Sequence, residues 1–195
     1  MSGILILPPE EARRIAAGEV IDRPAALIRE FLDNAIDAGA ANIDVCLEGG
    51  GGKKAEVADD GTGMNREDLE LCFQTHATSK IRSLDDLNTS HTLGFRGEAL
   101  AAAAAVAKLE IISSTDGSEA WRMETGPGGN YPAGLERTRR TRGTTVRTLI
   151  FLIAFRRVNG FLKGMEVKPH FAGRLSSTKP LPFRILIFVS ARTVS

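Results

Sequence analysis

Residues 22–39 read DRPAALIREFLDNAIDAG and form the clearest structural pattern in this chain of 195 residues. Asp22 is a good helix N-cap, Pro24 fits a first helical turn, and Gly39 follows the last periodic residue as a stop signal. Apolar side chains recur between them at helical spacing: Leu27, Ile28, Phe31, Leu32, Ala35 and Ile36. The pattern predicts an amphipathic helix.

The same helix carries a polar stripe beside its apolar face. Glu30, Asn34 and Asp37 stand at i, i+4 and i+7, so they share one side. Carboxylate and carboxamide oxygens one turn apart suit Mg²⁺, which keeps several waters and takes other ligands from a phosphate. A solvated helix surface shows the same pattern, so the stripe alone leaves both interpretations open.

Outward from this helix, helices alternate with strands that are linked mainly by hairpins. The predicted elements are a short helix from Glu10 that ends at Gly18, strands over Asn42–Glu48 and Lys54–Ala58, a helix from Asn65 to about Gln74, a helix over Glu98–Ala107, strands over Leu109–Ser114 and Ala120–Glu124, a surface loop over Thr125–Gly143, and a strand over Thr144–Phe155. This order predicts an α+β fold, a two-layer sandwich with helices on one face of a mixed sheet.

Composition narrows the class of protein. Apolar residues make up 43% and charged residues 25%, which is typical of a globular chain. Two cysteines are too few for a disulfide framework and favour a reducing compartment. The first residues lack a signal-peptide pattern, and the longest apolar run, Ala99–Ala107, is far shorter than the roughly 20 residues of a membrane helix. We expect a cytoplasmic protein without a membrane partner.

A glycine-containing motif follows the second predicted strand. In Asp59-x-Gly61-x-Gly63 the carboxylate can accept a hydrogen bond from an exocyclic amine, and the glycines allow close approach of a ligand. Thr145, which enters a later strand, offers a hydroxyl that supports Asp59. An ordinary turn has the same composition, so this motif is weak by itself.

A second candidate site lies ahead of the predicted helix at Glu98–Ala107. Its loop runs directly into the helix, whose N-terminal N–H groups attract anions, and comprises Gly94, Phe95, Arg96, Gly97, Glu98, Ala99 and Leu100. The polar stretch before it adds two hydroxyls and a cation at Thr78, Ser79 and Lys80. A flexible helix entry is the alternative interpretation.

Together these motifs resemble the N-terminal ATPase region of the MutL family of DNA mismatch repair proteins. The resemblance rests on Ile15–Val20, Arg23–Ala25, Glu30–Ala40, His76–Ile81 and Gly94–Leu100, and it covers about residues 4–147. It implies the left-handed ATP-binding sandwich that this family shares with DNA gyrase B subunits, heat-shock chaperone ATPases and histidine kinases.

The resemblance also implies a role for each matching residue. Glu30 is the general base that aligns water, Asn34 binds Mg²⁺, and Asp59 contacts adenine in a pocket shaped by Gly61 and Gly63. Asp37 belongs to the same nucleotide site, Thr78, Ser79 and Lys80 to its lid, Gly94–Leu100 to the phosphate loop, and Thr145 to the adenine side. The implied cofactors are ATP and Mg²⁺. The implied partners are a mismatch-recognition protein of the MutS type, DNA and a second copy in an ATP-dependent homodimer.

The chain departs from the family pattern after Thr148, and its charge changes nearby. Residues 1–136 carry 12 Lys and Arg against 23 Asp and Glu, whereas residues 137–195 carry 13 against one. We therefore divide the chain into an ATP-binding domain over 1–147 and a divergent basic tail over 148–195. The tail is either a genuine extension that touches DNA or the product of a shifted reading frame, which we favour.

Family members continue into a second subdomain, which supplies a lysine to the γ-phosphate, and into a dimerisation domain. We expect neither within 195 residues, so the ATP site is incomplete for hydrolysis. Two functions follow. One is a mismatch-repair fragment that couples binding and hydrolysis of Mg-ATP to repair signalling, and the other is a nucleotide-binding remnant without turnover.

Overall fold

A computed structural model describes residues 3–21, 24–49, 51, 53–74, 77, 99–125, 134–151 and 184–190. The helices are α1 (Pro9–Val20), α2 (Pro24–Asp37), α3 (Arg66–Leu71) and α4 (Ala99–Val106). The strands are β1 (Asn42–Glu48), β2 (Lys54–Asp59), β3 (Ala107–Ser114), β4 (Ala120–Glu124), β5 (Leu135–Thr138), β6 (Gly143–Phe151) and β7 (Arg184–Ser190).

The seven strands form one mixed sheet in the order β5-β4-β3-β6-β2-β1-β7. Neighbouring strands pair antiparallel except β1 and β7, which run parallel with Ile43 opposite Ile185. The sheet and the helices confirm the predicted α+β class. β6 continues past residue 147 and β7 extends the sheet, so residues from beyond the predicted domain boundary contribute to this layer.

The core lies between one sheet face and the helices. The inward residues of β1 (Ile43, Val45 and Leu47) are at most 1% exposed and belong to one apolar cluster with Leu27 and Phe31 of α2. Burial of each such side chain stabilises the fold by roughly 1.5–3 kcal/mol before entropy is counted. Among the helices that the structure describes, none is long and apolar enough to span a membrane.

Helix α2 ends as its sequence predicts. Gly39 has a φ of +70°, which an L side chain rarely adopts. The N–H of Gly39 donates to the carbonyl of Ile36 at 3.0 Å, and the N–H of Ala40 donates to that of Ala35 at 3.1 Å. These two bonds form a Schellman motif, which turns the chain directly into β1.

Three predicted elements differ from the structure. Helix α1 does not end at Gly18 but continues to Val20, because Ala17 and Ile21 are buried and the N–H of Ile21 still donates to the carbonyl of Ala17. Residues 125–143, predicted as a loop, contain β5. The predicted cap of α3 is confirmed, because the N–H of Asp68 donates to Asn65 Oδ1 at 2.7 Å, although α3 ends at Leu71 rather than near Gln74.

Candidate functional site

The centre of the candidate site is the carboxylate of Asp59, the last residue of β2. Its Oδ1 accepts from the N–H of Gly61 at 2.9 Å and from the N–H of Thr144 at 3.3 Å. Within the described ranges, no group donates to its Oδ2. One carboxylate oxygen is therefore fixed by the backbone, while the other is left to accept from a ligand.

Burial is the largest influence on the charge of this carboxylate. It raises the pKa of Asp59, and the neighbouring Asp60 raises it further. The N–H groups of Gly61 and Thr144 and the nearby guanidinium of Arg140 oppose that rise. Asp59 is thus partly removed from water, and a ligand that supplies a further donor favours its ionised form.

The glycines around Asp59 permit three chain segments to meet. A Cβ on Gly61 would lie 2.8 Å from the Cβ of Ala38, just past the end of α2. Gly63 has a φ of +68°, and a Cβ there would lie 2.0 Å from the carbonyl oxygen of Ser114. Gly143 has a φ of +117°, and its Cβ would lie 2.0 Å from the carbonyl oxygen of Asp59. Only glycine allows the ends of β2, β3 and β6 to approach so closely.

Helix α2 brings the polar stripe to this junction. The N–H of Thr62 donates to the carbonyl of Ala38 at 2.9 Å, which ties the Asp59–Gly63 loop to the residue after Asp37. Glu30, Asn34 and Asp37 are all half-buried. Because a helix rises about 1.5 Å per residue, Asn34 lies roughly one turn from Ala38 and Glu30 roughly two.

Thr145 does not stand where the sequence prediction placed it. It pairs with Ala58 rather than Asp59, and Val146 pairs with Val57 in the core. Because side chains alternate along a strand, Thr145 lies on the sheet face opposite Asp59. The threonine on the side of Asp59 is Thr144, whose Oγ1 lies 2.9 Å from the hydroxyl of Ser113.

Sequence reasoning missed several residues that hold the Asp59–Gly63 loop. Ser113 Oγ accepts from the N–H of Met64 at 2.8 Å. Arg140 Nη2 donates to the carbonyl of Asp59 at 2.6 Å, and Arg142 Nε donates to that of Gly61 at 3.1 Å. The two arginines are separated from the loop by about 80 residues of sequence, so no local pattern linked them to it.

The remaining predicted site residues fall into two groups. Ala99 and Leu100 form the first turn of α4, close to the predicted start at Glu98. The lid residues Thr78, Ser79 and Lys80 and the loop residues Gly94–Glu98 lie outside the described residues. Among the residues that the structure describes, no cluster of three or more His, Cys, Asp or Glu side chains forms a metal site.

Comparison with known proteins supplies the family. Residues 23–125 match a family model described as histidine kinase-, DNA gyrase B- and HSP90-like ATPase. The chain is 52% identical over 122 residues to the DNA mismatch repair protein MutL of Chromohalobacter salexigens, covering 62% of this chain and 19% of that protein. It is 42% identical over 195 residues to MutL of Treponema pallidum, covering 94% and 30% respectively.

Solved structures agree on the fold. The crystal structure of the N-terminal domain of a DNA repair protein superposes with a TM-score of 0.61 at 33% identity, covering 75% of this chain and 42% of that one. The Aquifex aeolicus MutL ATPase domain complexed with ADP has a TM-score of 0.60 at 18% identity, covering 87% and 61%. The chain spans about a fifth to a third of the length of the curated relatives it matches. It belongs to the histidine kinase-, DNA gyrase B- and HSP90-like ATPase family, and within that family it is of the MutL N-terminal ATPase type.

Proposed function

We propose that this chain binds an adenine nucleotide with Mg²⁺ at the junction of α2, β2 and β6. The observation that carries the proposal is the state of Asp59. Backbone N–H groups hold its Oδ1, no described group donates to its Oδ2, and burial makes a further donor favourable. The exocyclic amine of adenine is such a donor. Gly61 and Gly63 keep the loop close to the base, and Thr144 takes the supporting role that the sequence assigned to Thr145.

The residues of α2 fit the phosphate end of the nucleotide and its metal ion. Glu30 and Asn34 present a carboxylate and a carboxamide one turn apart on a half-buried surface, and these oxygen donors are of the hard type that Mg²⁺ prefers. Asn34 holds the ion, which neutralises phosphate charge when bound. Glu30 orients and deprotonates the attacking water, and Asp37 supports the site from the end of the helix nearest Asp59.

The lid and phosphate loop complete the proposal. Thr78, Ser79 and Lys80 close over the nucleotide, and Gly94–Leu100 wraps the phosphates through backbone N–H groups. α4 follows this loop directly in the chain, and a helix N-terminus offers unpaired N–H groups and a favourable dipole to phosphate.

At the level of the whole protein, we propose that nucleotide binding drives lid closure and the ATP-dependent pairing of two copies. The paired state passes the signal from a MutS-type mismatch-recognition protein to the steps that repair the DNA. The names of the relatives support this assignment.

Most of residues 148–195 fall within the Treponema pallidum match, and β7 joins the sheet. Both observations favour a tail that shares its origin with the family over a tail produced by a shifted reading frame. The cytoplasmic location stays a sequence prediction.

The second candidate is a nucleotide-binding remnant without turnover. The departure from the family pattern after Thr148 favours it, because that segment precedes the region that completes the catalytic site in the family. Single-turnover hydrolysis separates the two candidates. Hydrolysis that Glu30→Ala slows by about 10²–10⁴-fold, with binding intact, supports an ATPase, whereas binding without hydrolysis supports the remnant.

Calorimetric titration with a non-hydrolysable ATP analogue and Mg²⁺ tests the binding site. We expect Asp59→Asn to weaken binding by about 10–100-fold, because a charge-assisted hydrogen bond is lost. Asn34→Ala should abolish the dependence on Mg²⁺. The matched control is Asp44→Asn, which removes the same charge from an exposed position on β1. Equal affinity of Asp59→Asn and Asp44→Asn would rule out the proposed adenine contact.

A further inference from the structure

The segment that leads from β5 into β6 contacts the loop after β2 through every second residue. Arg140 Nη2 donates to the carbonyl of Asp59 at 2.6 Å, and Arg142 Nε donates to the carbonyl of Gly61 at 3.1 Å. The N–H of Thr144 donates to Asp59 Oδ1 at 3.3 Å. Three alternate residues of one short segment therefore hold the same loop, and two of them do so with charged side chains.

The two arginines differ in their surroundings. Arg140 is half-buried, whereas Arg142 is exposed. The Nε of Arg140 is buried and has no hydrogen-bond partner among the described residues. Burial lowers the pKa of Arg140, and the carboxylates of Asp59 and Glu56 oppose that effect. An arginine stays charged at neutral pH, so a positive charge is held partly out of water although one of its donors is unpaired. The hydrogen bond to a carbonyl does not explain this charge, since a neutral donor would make the same bond.

The charge of Arg140 lies beside Asp59 without occupying its carboxylate. Arg140 donates to the main chain of Asp59 and not to its side chain. Within the described ranges, no group donates to Asp59 Oδ2. Burial raises the pKa of Asp59, and the guanidinium of Arg140 is among the influences that oppose the rise. The guanidinium therefore favours a carboxylate that accepts hydrogen bonds, and it leaves one accepting oxygen open to a ligand.

Other charged groups surround the same loop. Asp60 raises the pKa of Asp59, but it is exposed, and its Oδ1 accepts from two main-chain N–H groups where β1 begins, at 2.7 and 2.9 Å. Asp37 is the last residue of α2, and Arg142 bonds the loop two residues after Asp59. Among the residues that the structure describes, Arg140 is the one cation whose side chain bonds Asp59 itself.

We propose that Arg140 is a positioning residue that makes the nucleotide site select adenine over a purine with an oxo group in place of the adenine amino group, an inference that rests on the proposed function. An ionised carboxylate only accepts hydrogen bonds, so Asp59 Oδ2 pairs with the amino group of adenine. An oxo group at that position is also an acceptor, and it meets the same oxygen with no proton between them. Arg140 acts through Asp59, because it fixes the carbonyl of that residue and keeps the side chain in its accepting form.

ADP and inosine diphosphate (IDP) form a matched pair of probes. They carry the same ribose and phosphates, and the base of IDP has an oxo group where that of ADP has its amino group. Calorimetric titration of the full chain with each nucleotide and Mg²⁺ gives the ratio of the two affinities. An effect of lost charge on the phosphates is common to both nucleotides and cancels from the ratio. We expect the wild-type chain to favour ADP by about 100-fold or more.

Arg140→Met should lower this ratio by about tenfold, through loss of affinity for ADP, because the charge-assisted bond to the amino group depends on the position of Asp59. Arg140→Lys keeps the charge and a donor, and its ratio should stay within about threefold of wild type. The matched control is Arg139→Met, which removes an exposed charge one residue earlier and should leave the ratio unchanged. Arg140→Gln is used if circular dichroism shows that Arg140→Met is not folded, and its ratio should fall by at least about threefold.

A double-variant cycle separates positioning from a merely structural role. In an Asp59→Asn background the bond to the amino group is already weakened, so Arg140→Met should change the ratio by less than about twofold. Equal losses of ADP and IDP affinity in Arg140→Met, a similar fall of the ratio in Arg139→Met, or a full fall in the Asp59→Asn background would each overturn the inference and leave nucleotide binding standing. A wild-type chain that binds neither nucleotide refutes the proposed function and the inference with it.

Discussion

Replacement of Thr148 by valine removes one hydroxyl from the centre of the sheet and keeps the shape of the side chain. Thr148 is 1% exposed, and its Oγ1 accepts from the N–H of Ala55 at 2.8 Å and donates to the carbonyl of Ala55 at 3.3 Å. Ala55 is fully buried, and the β2–β6 register extends only from Glu56 to Ala58. The hydroxyl therefore takes the place of a missing backbone pair.

Valine leaves the two backbone groups of Ala55 without this partner in an apolar environment. A buried donor or acceptor left unsatisfied costs about 1–3 kcal/mol, so we expect the free energy of unfolding to fall by about 2 kcal/mol. For a chain of this length the midpoint of thermal unfolding should fall by roughly 4–8 °C.

Urea unfolding, followed by circular dichroism and by the fluorescence of the single tryptophan, Trp121, measures the loss. Thr141→Val is the control, since Thr141 is exposed and its substitution should change stability by less than about 0.5 kcal/mol. A loss below about 0.5 kcal/mol for Thr148→Val would refute the reasoning. Because Thr148 is the first residue beyond the predicted boundary, a full loss means that the ATP-binding domain extends past residue 147.

Five further outcomes are expected. Gly143→Ala should lower the unfolding free energy measured by urea titration by more than about 2 kcal/mol, because φ is +117° and the new Cβ would lie 2.0 Å from a carbonyl oxygen. The control is Gly117→Ala, where φ is +85° but the nearest atom is 3.5 Å away, and its loss should be only about 1–2 kcal/mol. Burial raises the pKa of Asp59, so the fall in affinity for the ATP analogue on acidification should begin at a pH above the ordinary aspartate pKa near 3.9. An affinity that does not change with pH would contradict this contact. The raised pKa of Asp59 also makes stability depend on pH. Protonation of Asp59 stabilises the folded state at low pH, and this contribution is lost as pH rises through the raised pKa. Over that pH range the unfolding free energy of wild type should therefore fall relative to that of Asp59→Asn. Glu110→Gln should lower the unfolding free energy by about 1–2 kcal/mol, because Glu110 pairs with two half-buried arginines, Arg122 and Arg147. The loss is limited because both arginines keep other carboxylate partners. Burial raises the pKa of Cys72 to about 12, so a thiol reagent at pH 7 should leave Cys72 unmodified by mass spectrometry, and rapid labelling there would show that the thiol is accessible.

The parts of the fold that the sequence predicted well have strong local signals. The helix at α2 has an apolar face, an early proline and a glycine in the left-handed region, so its end is fixed to the residue by backbone geometry. The β1–β2 hairpin alternates apolar and polar residues because one face is buried and the other is not.

The elements that sequence reasoning missed or left undecided depend on distant contacts. β5 is four residues long at a sheet edge, with Glu136 and Arg137 at its centre, so it lacks an apolar pattern. β7 lies in the tail that the sequence analysis left without a predicted element, and its strand structure is explained by pairing with β1, about 140 residues earlier. Helix α1 passes Gly18 because burial of Ile21 outweighs the roughly 1 kcal/mol cost of a helical glycine.

The site shows the same division. Asp59, Gly61 and Gly63 form one loop, as their spacing suggested. The choice between Thr144 and Thr145 depended on the register of β6 against β2, in which a shift of one residue exchanges the two sheet faces. A sequence of two adjacent threonines contains no information on that register.

The parallel pairing of β1 with β7 has a consequence for the order of folding during synthesis. β1 to β6 are complete once residue 151 has emerged, but the outer edge of β1 cannot receive β7 until residue 190 has followed. At 5–20 residues per second, roughly 2–8 s pass between these events. During that interval β1, with three inward apolar side chains and an unpaired row of backbone groups, is a target for any other extended chain. The yield of folded protein should therefore depend on translation rate and on chaperones that shield this edge.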